Sequence, residues 1–359
     1  MKIDRRTFVA GGLAAASLPF LPTRAYATEF KLTAGSSHPP IIPWVGVIKD
    51  FVVPESVKRL KEASSPHTIV WTEAYAGALY NFQNTLEGIQ DGLADIGWVG
   101  TLWEPNKMPL HNVTYYSPFV TDNSTHLREI QDELQTNLAV MNEEWTKYNQ
   151  VYLGSQVIDG YVVVSRDPIN TVEDLKGKKF FTPGAIARWL EGTGAVGVDG
   201  ALPLYYNGIK TGQTDGAILP GSSIVPFKLH EVAPYLTDAR LGAMISGALT
   251  MNLDTWNRLP PELQELFKQL GKEYGVLVDQ RVTENHKKHF ELIATQGATL
   301  SVLPEAEQEK WVKAVPDIAG EWAARVEADG LPAKAVLKAY MDGVRKRGDK
   351  PLRDWDKSA

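Results

Sequence analysis

His38, Glu73 and Asp215 are the residues of this 359-residue chain whose types suit acid–base chemistry or metal ligation. Their spacing does not support an enzyme, because no His-Glu-x-x-His or Gly-x-Ser-x-Gly string occurs to gather such groups on one helix face or turn. The chain has no cysteine, which excludes disulfides, thiol catalysis and Cys-ligated metals. A second set suits binding rather than turnover. His38, Glu73 and Trp98 fall at or just beyond the ends of expected strands in the first half, with Trp44 nearby, and Phe181, Thr182, Arg188, Tyr205, Tyr206 and Asn252 are the aromatics and donors of the second. Aromatic faces with a few donors are what a small-molecule cleft needs. Each residue also has an ordinary reading: His38 as a solvated turn, Trp44 and Trp98 as core, Glu73 and Arg188 as surface, and Asp215 as a turn cap.

The elements that would position these residues follow from periodicity. Glu29 to Gly35 alternates polar and apolar side chains as a strand does, and runs into the turn Ser36-Ser-His-Pro-Pro40. Trp44 to Ala63 has helical spacing broken at Pro54, Thr68 to Thr72 is a second strand, and a helix from Asn81 to Gly92 returns through Leu93 to Trp98. His126 to Asn149 reads as a helix pair, and Val151 to Ser155 and Gly160 to Ser165 as strands. Thr171 to Gly216 reads as a βα unit, with a strand ending at Pro183-Gly184 and a helix over Ile186, Ala187 and Leu190. Such units carry ligands at the carboxyl ends of their strands. Leu249 to Asn252 is a further strand. Pro260-Pro-Glu-Leu then opens a helix whose apolar positions continue from Leu263 to Ile293, and Gln308 to Val326 and Ala333 to Arg345 add two more. Disorder is expected at Lys350 to Ala359.

Met1 to Ala27 reads as an export signal. Asp4-Arg-Arg-Thr-Phe8 is a twin-arginine pattern, Val9 to Leu21 is an apolar run too short to span a bilayer, and Ala25-Tyr-Ala27 is a cleavage site. The whole chain carries 37 Lys+Arg against 43 Asp+Glu. The signal holds Lys2, Arg5, Arg6, Arg24 and Asp4, so the remainder carries 33 against 42. An acidic chain without clustered cations is no nucleic-acid binder. The remaining length suits two lobes rather than one core.

Asp174-Leu-Lys-Gly-Lys-Lys-Phe-Phe-Thr-Pro-Gly184, the Gly194-Ala195 pair, Tyr206, Gly212 and Asp215-Gly216 resemble the solute-binding proteins of TRAP (tripartite ATP-independent periplasmic) transporters of the DctP type. So do Gly77, Leu79, Gly92 and Asp95, the Pro118-Phe119 turn, and Leu249-Thr-Met-Asn252 with Trp256 to Gln264. The resemblance implies an α/β, two-lobed periplasmic-binding-protein (Venus-flytrap) fold with crossing strands and a long helix spanning both lobes. Residues 28–152 with about 217–255 would form lobe I, and 153–216 with about 256–300 would form lobe II and the spanning helix. Residues 301–359 would add C-terminal helices. It implies a periplasmic receptor, without cofactor, that captures a small organic acid and delivers it to TRAP membrane permease subunits.

The family usually carries an arginine where this chain has Phe181, and often a polar residue where it has Ile218. The cleft is therefore expected to be less ionic than usual and to favour a solute with a flat or apolar face, such as an aromatic acid. An exported enzyme on the same fold and a sensor-coupled receptor are the alternatives, and the oligomeric state is left open.

Overall fold

The computed structural model describes residues 27–357. The export signal expected over the first 27 residues lies outside them apart from Ala27. Among the described residues, eleven strands form two sheets. In chain order they are β1 (Glu29–Gly35), β2 (Thr68–Ala74), β3 (Ile96–Gly100), β4 (Gln150–Ile158), β5 (Tyr161–Ser165), β6 (Lys179–Phe181), β7 (Val196–Val198), β8 (Gly216–Pro220), β9 (Tyr235–Asp238), β10 (Met244–Asn252) and β11 (Thr299–Val302).

The first sheet has the order β2-β1-β3-β10-β4, and the second β11-β9-β5-β8-β6-β7. β1 is parallel to β2 and β3, as expected of strands joined by helical crossovers. β10 runs antiparallel between β3 and β4, and all nine of its residues are buried, as a central strand's should be. The chain passes between sheets three times, from β4 to β5 through Asp159-Gly160, from β9 back to β10, and from β10 through two helices to β11.

The helix Pro261–Thr295 holds the two halves together. At about 1.5 Å per residue, its 35 residues reach roughly 50 Å. Its first half lies on β4 at a point that only glycine permits: a Cβ on Gly154 would stand 1.9 Å from the Gly271 carbonyl oxygen, and one on Gly271 2.2 Å from that of Leu153. Its second half brings His286 and Phe290 against Gly221, just beyond β8. The C-terminal helices add indole ties to both halves. Trp322 Nε1 donates to the Pro109 carbonyl (3.2 Å) and Trp311 Nε1 to that of Trp189 (2.7 Å).

The structure departs from the sequence reading in four places. Residues 217–255 were expected with lobe I, yet β8 and β9 both pair with β5 in the second sheet, and β4 keeps residues 153–158 in the first. The helix expected over Gln308 to Val326 is two, Glu305–Ala314 and Ile318–Ala328. Pro316 lacks the N–H needed to continue it, and Asp317 restarts the chain by accepting from Gly320 N. The helix expected after Pro183 is a short 3-10 stretch, Gly184–Leu190. Residues 350–357, expected to be disordered, are anchored: Trp355 is fully buried, its Nε1 donates to the Pro118 carbonyl (2.7 Å), and Leu352 N donates to Phe119 O (2.9 Å).

Candidate solute site between the two sheets

His38 leaves the carboxyl end of β1 in a turn that fixes it on three sides. Its N–H donates to Ser36 Oγ (3.1 Å), its carbonyl accepts from Ala76 N (3.1 Å), and its Nδ1 lies 2.9 Å from Ser37 Oγ. Trp44 follows in the first turn of the helix Pro43–Val47, where proline at the start is pre-organised. Trp98 lies in the middle of β3, with its Nε1 donating to Gln156 Oε1 on β4 at 2.9 Å. Trp103 closes the short 3-10 turn Thr101–Trp103 that follows β3.

These four rings form one cluster. The imidazole of His38 stacks on Trp103 (centroids 5.6 Å apart), meets Trp98 edge-on (5.3 Å) and lies 6.5 Å from Trp44. From the second sheet come Tyr161 on β5, Ile218 to Pro220 on β8, Pro183 beyond β6, and Tyr205 with Leu202 on the helix Leu202–Lys210. Ser246 on β10 completes the wall. The free space among these walls is about 30 Å³, room for about one water.

Among the described residues, no Lys, Arg, Asp or Glu lines this cavity. Burial lowers the pKa of His38 to about 4, so the ring is neutral at pH 7. Burial likewise holds the Tyr161 and Tyr205 phenols far above their usual range. Two donors in the wall are unspent: the indole N–H groups of Trp44 and Trp103 are buried and have no acceptor in the protein. Buried polar groups are usually paired, so these two N–H groups are candidates to meet an added acceptor.

Of the eleven residues proposed from sequence, His38, Trp44, Trp98, Tyr205 and Ile218 meet at the cavity. Phe181 stands behind it, stacked on Tyr205 (4.7 Å, 7°) and pressed against Gly208, where a Cβ would come within 2.4 Å of its ring. Thr182 is buried next to it, its N–H donating to Val198 O and its Oγ1 without a partner. The other four are elsewhere. Glu73 is exposed at the end of β2. Arg188 is bound to Glu191 (2.8 Å) and Glu321 (2.7 Å), an ion pair that fastens a C-terminal helix. Tyr206 donates to Glu231 on the surface (3.2 Å). Asn252 caps the helix Leu253–Arg258 by accepting from Thr255 N (3.0 Å), while its amide donates to Ile89 O (2.8 Å) and Gln90 O (3.1 Å).

The enzyme-like trio is not assembled either. Asp215 holds Arg166 and Lys179 N, and among the described residues no group of three His, Cys, Asp or Glu could hold a metal ion. Gly192-Thr-Gly-Ala-Val-Gly197 has the spacing of a dinucleotide-binding turn but leads into β7, so no helix N-terminus stands ready for a phosphate.

Sequence reasoning missed Trp103, Tyr161 and Ser246. Trp103 was signalled by its position, five residues after Trp98 and just past a strand end; Tyr161 and Ser246 lie inside uniformly buried strands, where no pattern marks the face turned to the cavity.

A second cavity, of about 290 Å³, lies beside the crossing from β4 to β5 and is lined by Asp122, Ser124, Asp159, Asp238, Thr283, His286 and Lys287. Asp159 accepts from Ser222 N (2.8 Å) and Ser222 Oγ (2.5 Å) and faces His286 Nδ1 at 2.6 Å. Burial disfavours the His286 imidazolium, but Asp159, Asp238 and Asp122 outweigh it and hold its pKa above the ordinary value. Burial, then Asp238, push Asp122 up to about 6.

Residues 55–325 match the family model described as bacterial extracellular solute-binding protein, family 7. A solute-binding protein of Sulfitobacter sp. strain NAS-14.1 is 30% identical over 174 residues, which is 47% of this chain and 51% of that relative, so the chain spans about half the relative's length. Among solved structures, the TRAP solute-binding protein of Rhodoferax ferrireducens T118, in complex with copurified benzoate, superposes with a TM-score of 0.76 at 20% identity, over 89% of this chain and 98% of that one. A marine metagenome TRAP solute-binding protein specific for aromatic acid ligands, in complex with metahydroxyphenylacetate, gives 0.75 at 20% identity, over 88% and 99%. These likenesses carry the two-lobed fold.

Proposed function

Because this chain belongs to the bacterial extracellular solute-binding proteins, family 7, we propose that it is the periplasmic receptor of a TRAP transporter, capturing a small aromatic acid between its lobes. The family is one of solute receptors rather than enzymes. No helix among the described residues is long and apolar enough to cross a membrane, in keeping with a receptor that meets its membrane partner by docking. That partner is a pair of permease subunits, to which the closed form delivers the solute for gradient-driven uptake. Lobe I is the part built on the β1–β4 and β10 sheet, lobe II the part built on β5–β9 and β11, and the crossing segments and long helix are the hinge.

The observation that carries the solute class is the cavity wall: three indoles, an imidazole and two phenols, with two unspent N–H donors and no cation. Flat apolar surfaces on both lobes gain most from a flat solute, and a ligand stabilises the closed form only by its differential affinity for it. An acid group supplies acceptors for the donors.

A thermal-shift screen of the mature protein tests this. At a hundredfold excess over Kd, a ligand adds about 2.7 kcal/mol to stability. Benzoate, hydroxyphenylacetates and mandelate are expected to raise Tm, and small aliphatic dicarboxylates to leave it unchanged. A response confined to dicarboxylates, polyols or amino acids overturns the aromatic-acid reading.

A further inference from the structure

Resting on the cleft as the solute site, we propose that an aromatic acid is held there as a net-neutral unit, with His38 taking up one proton to become the imidazolium that pairs with the carboxylate. A carboxylate entering this cavity brings a charge to a place without Lys or Arg. Leaving it unpaired out of water is costly, so a counter-charge must form. The wall offers one group that can supply it. The Tyr161 and Tyr205 phenols remain protonated and can only donate a hydrogen bond.

The surroundings of His38 suit the charged form once a carboxylate is present. Its Nδ1 is engaged with Ser37 Oγ, which can accept from an imidazolium, and this leaves Nε2 for the solute. Its ring lies on the face of Trp103 and against Trp98 and Trp44, and indole faces attract cations. The N–H groups of Trp44 and Trp103 are free to bind acceptor oxygens. Charged groups on the neighbouring segments are otherwise occupied or in water: Glu73 near the end of β2 is exposed, and Glu104 beyond Trp103 is paired with Lys107. Neither moves the pKa of His38, for which burial is the cause.

The proton balance is simple. It moves from solvent to Nε2 as the carboxylate arrives, and returns to solvent on release. The empty site is neutral at pH 7, the filled one carries one proton more, and affinity for the acid therefore falls as pH rises.

Calorimetric titration of the mature protein tests the inference, with benzoate, benzenesulfonate and uncharged benzamide as probes, between pH 5.5 and 8.5 in buffers of different ionisation enthalpy. Benzoate and benzenesulfonate are each expected to bind with uptake of close to one proton at pH 7, and to weaken about tenfold per pH unit on the alkaline side. Benzamide is expected to show neither effect. His38→Gln should lose the uptake and weaken benzoate at least tenfold more than benzamide.

Binding of benzoate without proton uptake overturns the inference and leaves the receptor reading standing. Uptake that persists in His38→Gln, or that benzenesulfonate does not share, places the proton on the solute and overturns the assignment to His38. Failure of every aromatic probe to bind at any pH removes both readings together.

Discussion

The cavity between the sheets is faced by rings, two of which carry buried N–H groups without an acceptor in the protein, whereas the cavity beside the crossing strands is faced by charges, among them the bonded pair Asp159 and His286. Trp44 and Trp103 keep unspent N–H groups in the first. In the second, Asp159 is satisfied by Ser222 and His286, three contacts that join β5's approach, the turn after β8 and the long helix. The proposed site thus has donors to offer a solute, whereas the Asp159 bonds tie segments of the fold to one another. The difference also governs titration. Burial pushes His38 down in the first cavity, and pushes Asp122 up in the second, so each cavity favours the neutral form of its own group.

Phe181→Arg should give the largest effect. The ring it replaces is 1% exposed and wedged between Tyr205 and Gly208, so the guanidinium would be both oversized and unpaired. A loss on the order of 4 kcal/mol is expected from urea unfolding, with no gain in affinity for dicarboxylates. A stable variant that newly binds dicarboxylates would move Phe181 into the cavity wall and redraw the comparison.

Trp98→Ala comes next. Its indole is shared between core and cavity, being 1% exposed yet facing His38 and holding Gln156. We expect a stability loss of about 3 kcal/mol and loss of the thermal shift caused by benzoate. Loss of stability without loss of benzoate binding would make Trp98 a core residue alone.

Sequence and structure agree most where local periodicity decides the outcome. Leu32 and Ala34 alternate with polar neighbours in β1, and apolar positions recur through the 35-residue helix, so both elements were legible. The site was legible for His38, in the turn that leaves the end of β1, and for Trp98 and Ile218, which lie in the middle of β3 and β8. Polar residues near strand ends misled because nearby partners use them up: Arg188 meets Glu191 three residues on, and Asn252 caps Thr255 three residues on. Both spacings are readable as local bonds. Phe181 was correctly placed at a strand end, but whether its ring or that of Tyr205 faces the cavity depends on Gly200 and Gly208 making room behind it. Long-range packing of that kind leaves no periodic trace.

The pH dependence of stability separates the two cavities by sign. His38 titrates near 4 in the fold against 6.5 in an exposed state, so its contribution is complete above about pH 6.5 and is lost as pH falls through 4. At 1.36 kcal/mol per unit, that is about 3 kcal/mol across the window. His111, also lowered to about 4, behaves alike, and for this reason the measurement is a difference between proteins. Urea unfolding of the wild type and His38→Gln from pH 4 to 7 should show a shallower rise with pH in the variant. Parallel curves would mean that His38 is hydrated, and would remove the dry cavity from the comparison.

Asp122 should act in the opposite direction and more weakly. Its pKa is raised from 3.8 to about 6, so its contribution is complete below pH 3.8 and is lost as pH rises through 6, leaving the ionised carboxylate a liability at neutral pH. The side chain is 44% exposed and Arg240 approaches to 3.9 Å, so water and that cation screen the cost to about 1 kcal/mol. Asp122→Asn, which keeps the shape and removes the charge, is therefore expected to stabilise the protein by about 1 kcal/mol at pH 7 and by nothing at pH 4. The substitution also removes one of the three carboxylates that favour the imidazolium of His286, so that histidine should titrate at lower pH in the variant, as followed by NMR. If Asp122→Asn is neutral at both pH values and leaves His286 unmoved, the charges of the second cavity are independent, and the contrast with the aromatic cavity reduces to composition alone.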